Sequence, residues 1–175
     1  MAGLLLQLAG GKMYYLKLMK LMYIIDREGL LRWGRPITND RYYSLDNGLI
    51  LSRVENLMTE ESLVESYWNQ FISAPRNWQI ELTSDPETDE LSEAETELIR
   101  EQYLKFKRMF GHHGVKDRWE LVEYTHNLPE WVDPHGSSIP VDYEEVLIKA
   151  QVPPDKVRKI IDSLEEFASF ENALK

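Results

Sequence analysis

The side chains in this sequence best suited to chemistry are four histidines and a scatter of carboxylates. The histidines are His112, His113, His126 and His135. Neighbouring His112 and His113 point apart on any regular element, so they cannot share one tetrahedral ion, and no H-E-x-x-H is present. There is no cysteine, which removes thiolate metal sites, thiol nucleophiles and disulfides together. A serine nucleophile needs a strand–turn–helix context such as G-x-S-x-G, whereas Gly136-Ser137-Ser138 falls in a proline-bearing stretch. Neither G-x-x-x-x-G-K-[ST] nor G-x-G-x-x-G occurs, so glycine-rich phosphate cradles are missing as well. Two carboxylates stand out, Asp26 and Asp40, each with apolar or aromatic neighbours. A buried carboxylate normally finds a partner. Arg27 or Arg35 is the expected partner of Asp26, and Asp40 is expected to organise the turn after Pro36. A hydrolase or metal enzyme using His126 with Asp26 or Asp40 is the one catalytic reading left. The expectation is no enzyme, no metal and no cofactor.

Charge points instead to a macromolecular partner. Twenty basic residues face thirty acidic ones, a net charge of −10 and a pI near 4.9. The balance is uneven: residues 1–58 carry eight basic and five acidic side chains, and residues 59–175 carry twelve and twenty-five. Arg27, Arg32, Arg35 and Arg41 lie near Trp33, Tyr42 and Tyr43. Arginine beside aromatics suits stacked single-stranded nucleic acid, and equally a protein interface. The negative field of the whole chain repels phosphate and favours protein over nucleic acid. From Asp85 to Glu101 eight carboxylates are opposed only by Arg100. They can be a solvated loop leading into a helix N-terminus or a docking face for a basic partner. No secretory signal is visible, because no basic residue precedes the apolar start, and Lys17 and Lys20 interrupt the longest apolar run. The expected location is cytoplasmic, with no membrane partner.

The elements that would position these residues are mostly helices. Leu4–Ala9 is a short helix ended by Gly10-Gly11, and a longer one runs from Lys12 to about Arg32, apolar on most faces and therefore central to a bundle. Gly34 and Pro36 end it. Tyr42–Leu45 and Leu49–Leu51 flank Asp46-Asn47-Gly48 as a hairpin, in which both Asn47 and Gly48 tolerate positive φ. Ser52 is the expected cap of a helix through Met58, Leu63–Ile72 is a further helix, and alternating Trp78–Leu82 is a strand with one buried face. Thr83–Glu90 reads as a loop. Ser92 with Glu95 forms a capping box for a helix to Phe110, and Asp142 with Glu145 resembles a second. Gly111 and Gly114 bracket a break before a helix that starts at Lys116 or Asp117 and stops before Pro129. Asp133–Pro140 reads as a loop, and Pro153-Pro154-Asp155 opens a last helix with Val157, Ile160, Ile161, Leu164 and Ala168 on one side. The fold class expected is mainly α (α+β): a compact helical bundle around a central helix, with a small hairpin or short strands, in one domain over residues 1–175.

Between Lys17 and Leu57 these features form a recognisable order. Leu18-Met19-Lys20-Leu21-Met22-Tyr23-Ile24-Ile25-Asp26-Arg27, Gly34-Arg35-Pro36-Ile37, Asp40-Arg41-Tyr42 and Asn47-Gly48-Leu49-Ile50 follow one another, and later come Leu91-Ser92-Glu93, Glu120-Leu121-Val122, Thr125-His126 and Trp131. The pattern resembles the Panacea domain of SocA-like, phage-associated antitoxins, over residues 17–131. One departure is that the corner at Asn47–Ile50 lacks the proline common there. The resemblance implies a mostly helical antitoxin that binds and neutralises a cognate small protein toxin, and no catalysis. One branch resembles adaptors that hand the toxin to a cytoplasmic AAA+ protease. The residues matching the pattern, and so the candidate partner-binding or family-motif positions, are Lys20, Tyr23, Asp26, Arg27, Gly34, Arg35, Pro36, Asp40, Tyr42, Gly48, Thr125, His126 and Trp131. Turn and core demands already account for most of them, Gly34, Pro36 and Gly48 above all. Residues 140–175 are expected to add helices that pack on this unit.

Overall fold

A helix apolar on nearly every face can be satisfied only by being surrounded, and that is the place of Tyr15–Trp33 (α2). Leu18, Leu21, Tyr23, Ile25 and Leu30 on it are fully buried. The computed structural model describes residues 1–59, 67–86, 90–111 and 115–173. The His112–His113 pair, Gly114, Glu87, Asp89 and the start of the expected helix at Leu63 lie outside them. Around α2 pack Ala2–Leu8 (α1), Glu93–Phe110 (α5), Val115–His126 (α6), Tyr143–Lys149 (α7) and a hairpin of Tyr42–Leu45 (β2) and Gly48–Leu51 (β3). Ser52–Thr59 (α3) follows the hairpin, Tyr67–Phe71 (α4) precedes a short strand, and Pro154–Ala173 (α8) packs on α7. The architecture is mainly helical α+β, as expected.

The strands form two small antiparallel sheets. In one, Lys12–Tyr14 (β1) pairs with Gln79–Glu81 (β4), Met13 opposite Ile80. In the other, β2 lies between β3 and Ile139–Val141 (β5). Lys12–Tyr14 was expected to be helical. Met13 and Ile80 are both buried, so pairing this segment with β4 closes the core beneath them. Ile139 and Pro140 were expected to be loop. They occupy an edge strand, where the N–H that proline lacks is not missed.

Helix ends show where local signals suffice and where they do not. Gly34 caps α2 in the left-handed region at φ +74°. Ser92 and Glu95 form the expected reciprocal capping box on α5. At α7 the second expected box fails: Asp142 stands at the N-cap but its side chain makes no capping bond. Ser52 is likewise not the cap of α3. Asp40, twelve residues earlier, accepts the Arg53 and Val54 backbone N–H groups instead (2.9–3.2 Å). Since Ser52 N–H is itself tied to the Arg41 carbonyl, the chain before the hairpin lies against the helix start after it.

Candidate functional site

The matching positions converge where α2, the β2–β3 hairpin and the end of α6 meet. The hairpin turn is Asp46-Asn47, and of the two residues able to tolerate positive φ, Asn47 and Gly48, only Gly48 takes it (+87°). Glycine here is demanded twice over. Beyond the backbone angle, a Cβ would run into Thr125 Oγ1 and come within 3.3 Å of the His126 ring. Thr125 is fully buried, its hydroxyl donating to the Val122 carbonyl (2.8 Å). His126 Nε2 bonds the Asp46 carbonyl at 3.0 Å, and Trp131 Nε1 donates to the Leu45 carbonyl at 3.2 Å. The two rings pack at a tilt of 32°, centroids 4.2 Å apart. Together Thr125, His126 and Trp131 clamp the hairpin tip. Ser44 tightens the same seam, its hydroxyl donating to the Val132 carbonyl at 2.6 Å.

Behind the clamp runs a chain of buried polar groups. Lys20 is fully buried, and its ammonium donates to the Leu49 carbonyl at 2.9 Å. Burial alone drives its pKa down to about 7. Asp26, also fully buried, was expected to pair with Arg27 or Arg35. It accepts instead from the Ile37 and Thr38 backbone N–H groups, the Thr38 hydroxyl and the Tyr42 phenol, all within 2.9 Å. Gly34, Arg35 and Pro36 turn the chain back so that these donors face it. Burial raises the Asp26 pKa to about 6 against the pull of those bonds.

Arg27 reaches a carboxylate that sequence reasoning passed over. Its guanidinium makes two bonds to Glu130, at 2.5 and 3.2 Å, and the Tyr23 phenol donates to Glu130 as well, at 2.8 Å. Burial alone would lower the Arg27 pKa; Glu130 outweighs it and the net shift is upward. Tyr23, Tyr42 and Tyr143 pack edge to face at 4.9–5.1 Å, and the Tyr143 hydroxyl donates to the Asp40 carbonyl at 2.6 Å. Arg35 lies on the surface and pairs with Glu95 at 2.9 Å. On the far side of α2, Lys17 and Asp117 form a buried ion pair at 2.5 Å.

These partners had faint signals. Glu130 lies in Leu128-Pro129-Glu130-Trp131, and Lys17 in an otherwise apolar run; each asks for an opposite charge once buried. His126 bonds a backbone carbonyl, and Asp26 and Asp40 are occupied by backbone and hydroxyl donors, so no acid–base pair joins them. Among the described residues no group of three or more His, Asp or Glu side chains is placed to hold a metal ion. Of the arginines weighed for stacking nucleic acid, Arg27, Arg32 and Arg35 are each tied to a carboxylate.

A family model described as the SocA-like antitoxin, Panacea domain, matches residues 18–132. The chain belongs to this family. The match begins four residues into α2 and ends just past Trp131, so it spans the hairpin, its clamp and the buried polar chain. No curated protein and no solved structure matches the sequence. Among the described residues no helix of this Panacea protein is long and apolar enough to cross a membrane.

Proposed function

We propose that this protein is the antitoxin of a toxin–antitoxin pair and neutralises a small protein toxin by binding it directly in the cytoplasm, with residues 1–175 acting as one folded unit. The observation that carries this reading is the family match over residues 18–132, which coincides with the clamped hairpin and its buried supports. The internal bonding of that region is consistent with it. Asp26, Asp40, His126 and Glu130 are committed to backbone, hydroxyl or guanidinium partners, as expected of a rigid scaffold that presents a surface.

The test is co-expression with the small reading frame next to its gene. That product alone should arrest growth, co-expression should restore it, and the two should co-purify. A neighbour that is harmless, or toxic but neither bound nor neutralised, overturns the proposal. Toxin half-life in the same cells separates sequestration from delivery to an AAA+ protease: an unchanged or longer half-life is expected here, and a shortened one marks an adaptor.

A further inference from the structure

Beside the clamped hairpin a cavity of about 420 Å3 opens between α2, β3 and the start of α6. That is within the size range of pockets that seat a ligand or an anchoring side chain, roughly 300–1,000 Å3. Met19 and Ile50 form apolar wall, and buried Lys20 lies beneath them, with its ammonium spending one donor on Leu49. Trp78 and Trp119 stand at the mouth, 66% and 48% exposed. Neither tryptophan was singled out by the family pattern.

Arg118 also lines this cavity. Its guanidinium lies 4.6 Å from the centre of the Tyr14 ring and 5.5 Å from that of Trp119. Its Nε is buried without a hydrogen-bond partner, and no carboxylate among the described residues pairs with it. Arg27, Arg32 and Arg35 each have such a partner. In a chain with net charge −10, a guanidinium held by rings alone at the edge of an apolar cavity is short of an acceptor. Glu55, the one carboxylate on the cavity wall among the described residues, is itself already engaged. Exposed tryptophans around an apolar pocket, with an arginine among them, match the residue types that dominate protein-binding energy.

We propose that this cavity is a docking site for a protein partner, which inserts one large apolar side chain between Trp78 and Trp119 and sets an adjacent carboxylate on Arg118. The identity of the partner as a toxin rests on the antitoxin reading above. The chemistry of the docking segment does not. An apolar and acidic segment is the opposite of what the acidic stretch from Glu93 to Glu101 would attract, so the two surfaces call for different ligands.

Three peptides distinguish them: acetyl-Glu-Leu-Phe-Glu-amide, the same core flanked by lysines, and the acidic flanks around a Ser-Ser core. Each is titrated into the full chain while the tryptophan indole N–H resonances are followed. The acidic apolar peptide should shift Trp78 and Trp119, the lysine-flanked one should bind about tenfold more weakly, and the Ser-Ser one should leave both unmoved. Arg118→Gln and Trp119→Ala should each weaken the first peptide by about tenfold. Trp119 is half exposed, and unchanged thermal melts would confirm that both variants fold. No shift with any peptide, equal binding of the lysine-flanked one, or indifference to Arg118→Gln overturns the proposal. Co-expression keeps the two readings apart. If wild type and the Arg118→Gln/Trp119→Ala double variant protect equally, the pocket falls and the antitoxin stands. If wild type fails to protect, the antitoxin falls, and the peptides still decide the pocket.

Discussion

Two neighbouring regions treat their polar side chains in opposite ways. Where α2 meets the hairpin, Asp26, Arg27, Tyr42 and Glu130 spend their hydrogen bonds on one another, on backbone or on the Tyr23 and Thr38 hydroxyls. A few residues away, Arg118 keeps a buried Nε without an acceptor, and two tryptophans stand open to water. The first arrangement is rigid, because removing any member strands another away from solvent. In the second, no carboxylate among the described residues balances the Arg118 guanidinium, and an outside carboxylate at the cavity could supply that charge. The contrast separates the pattern positions, most of whose polar groups are bonded within the fold, from the less conspicuous residues on which the proposed docking rests.

The sharpest way to break this contrast is to remove the acceptor at the centre of the rigid region. Glu130→Ala leaves the Tyr23 phenol and the Arg27 guanidinium without their partner, and urea unfolding should show a loss of about 3–5 kcal/mol. A loss below about 1 kcal/mol would mean that the region is not rigidly interlocked.

Gly48→Ala comes next. The left-handed backbone and the collision with Thr125 should together cost about 2–3 kcal/mol. Thr125→Ala in the same chain removes the colliding oxygen, so the double variant should be more stable than the sum of the two singles implies. Strict additivity would show that hairpin and α6 do not touch as described.

Lys20 sharpens the comparison through pH. Its folded pKa of about 7 lies below the ordinary 10.5, so between those values the unfolded chain binds more protons than the folded one. Stability is then greatest above the ordinary value and declines as pH falls toward 7. Unfolding free energy should therefore rise from pH 7 to about 9.5 in wild type, and Lys20→Met should flatten that slope and add about 1–2 kcal/mol at neutral pH. Parallel pH profiles for the two proteins would contradict it.

The smallest effect should come from the surface. Arg32 bonds Glu101 through two nitrogens at 2.8 Å, yet both side chains are exposed, about half their surface in water. Arg32→Ala should change stability by less than about 0.5 kcal/mol, and less still in high salt. A larger loss would extend the rigid network out to α5.

Much of the framework was legible from local pattern. The all-round apolar character of α2, the glycine at its end, the Ser92–Glu95 box and the Tyr42–Leu51 hairpin depend on residues close together in the chain, and all are present. What escaped was partner choice. Asp26 sits beside Arg27 in sequence, but successive residues on a helix point about 100° apart, so Arg27 faces Glu130 while Asp26 faces the returning loop. The cap of α3 was misplaced for a related reason: any carboxylate brought to the helix start can serve, and the one that arrives is Asp40, not Ser52.

By itself, the order of residues determined the central helix and its end, the capping box on α5, the hairpin, the lack of thiol chemistry and the family pattern, since each follows from composition or from spacing within a turn or two. Tertiary structure alone decided which buried charge meets which, that Gly48 lies under Thr125, and that Trp78, Arg118 and Trp119 surround one cavity. Those outcomes join residues dozens of positions apart. Burial makes an unpartnered charge costly wherever it lies, but only the packed chain determines which opposite group comes within reach.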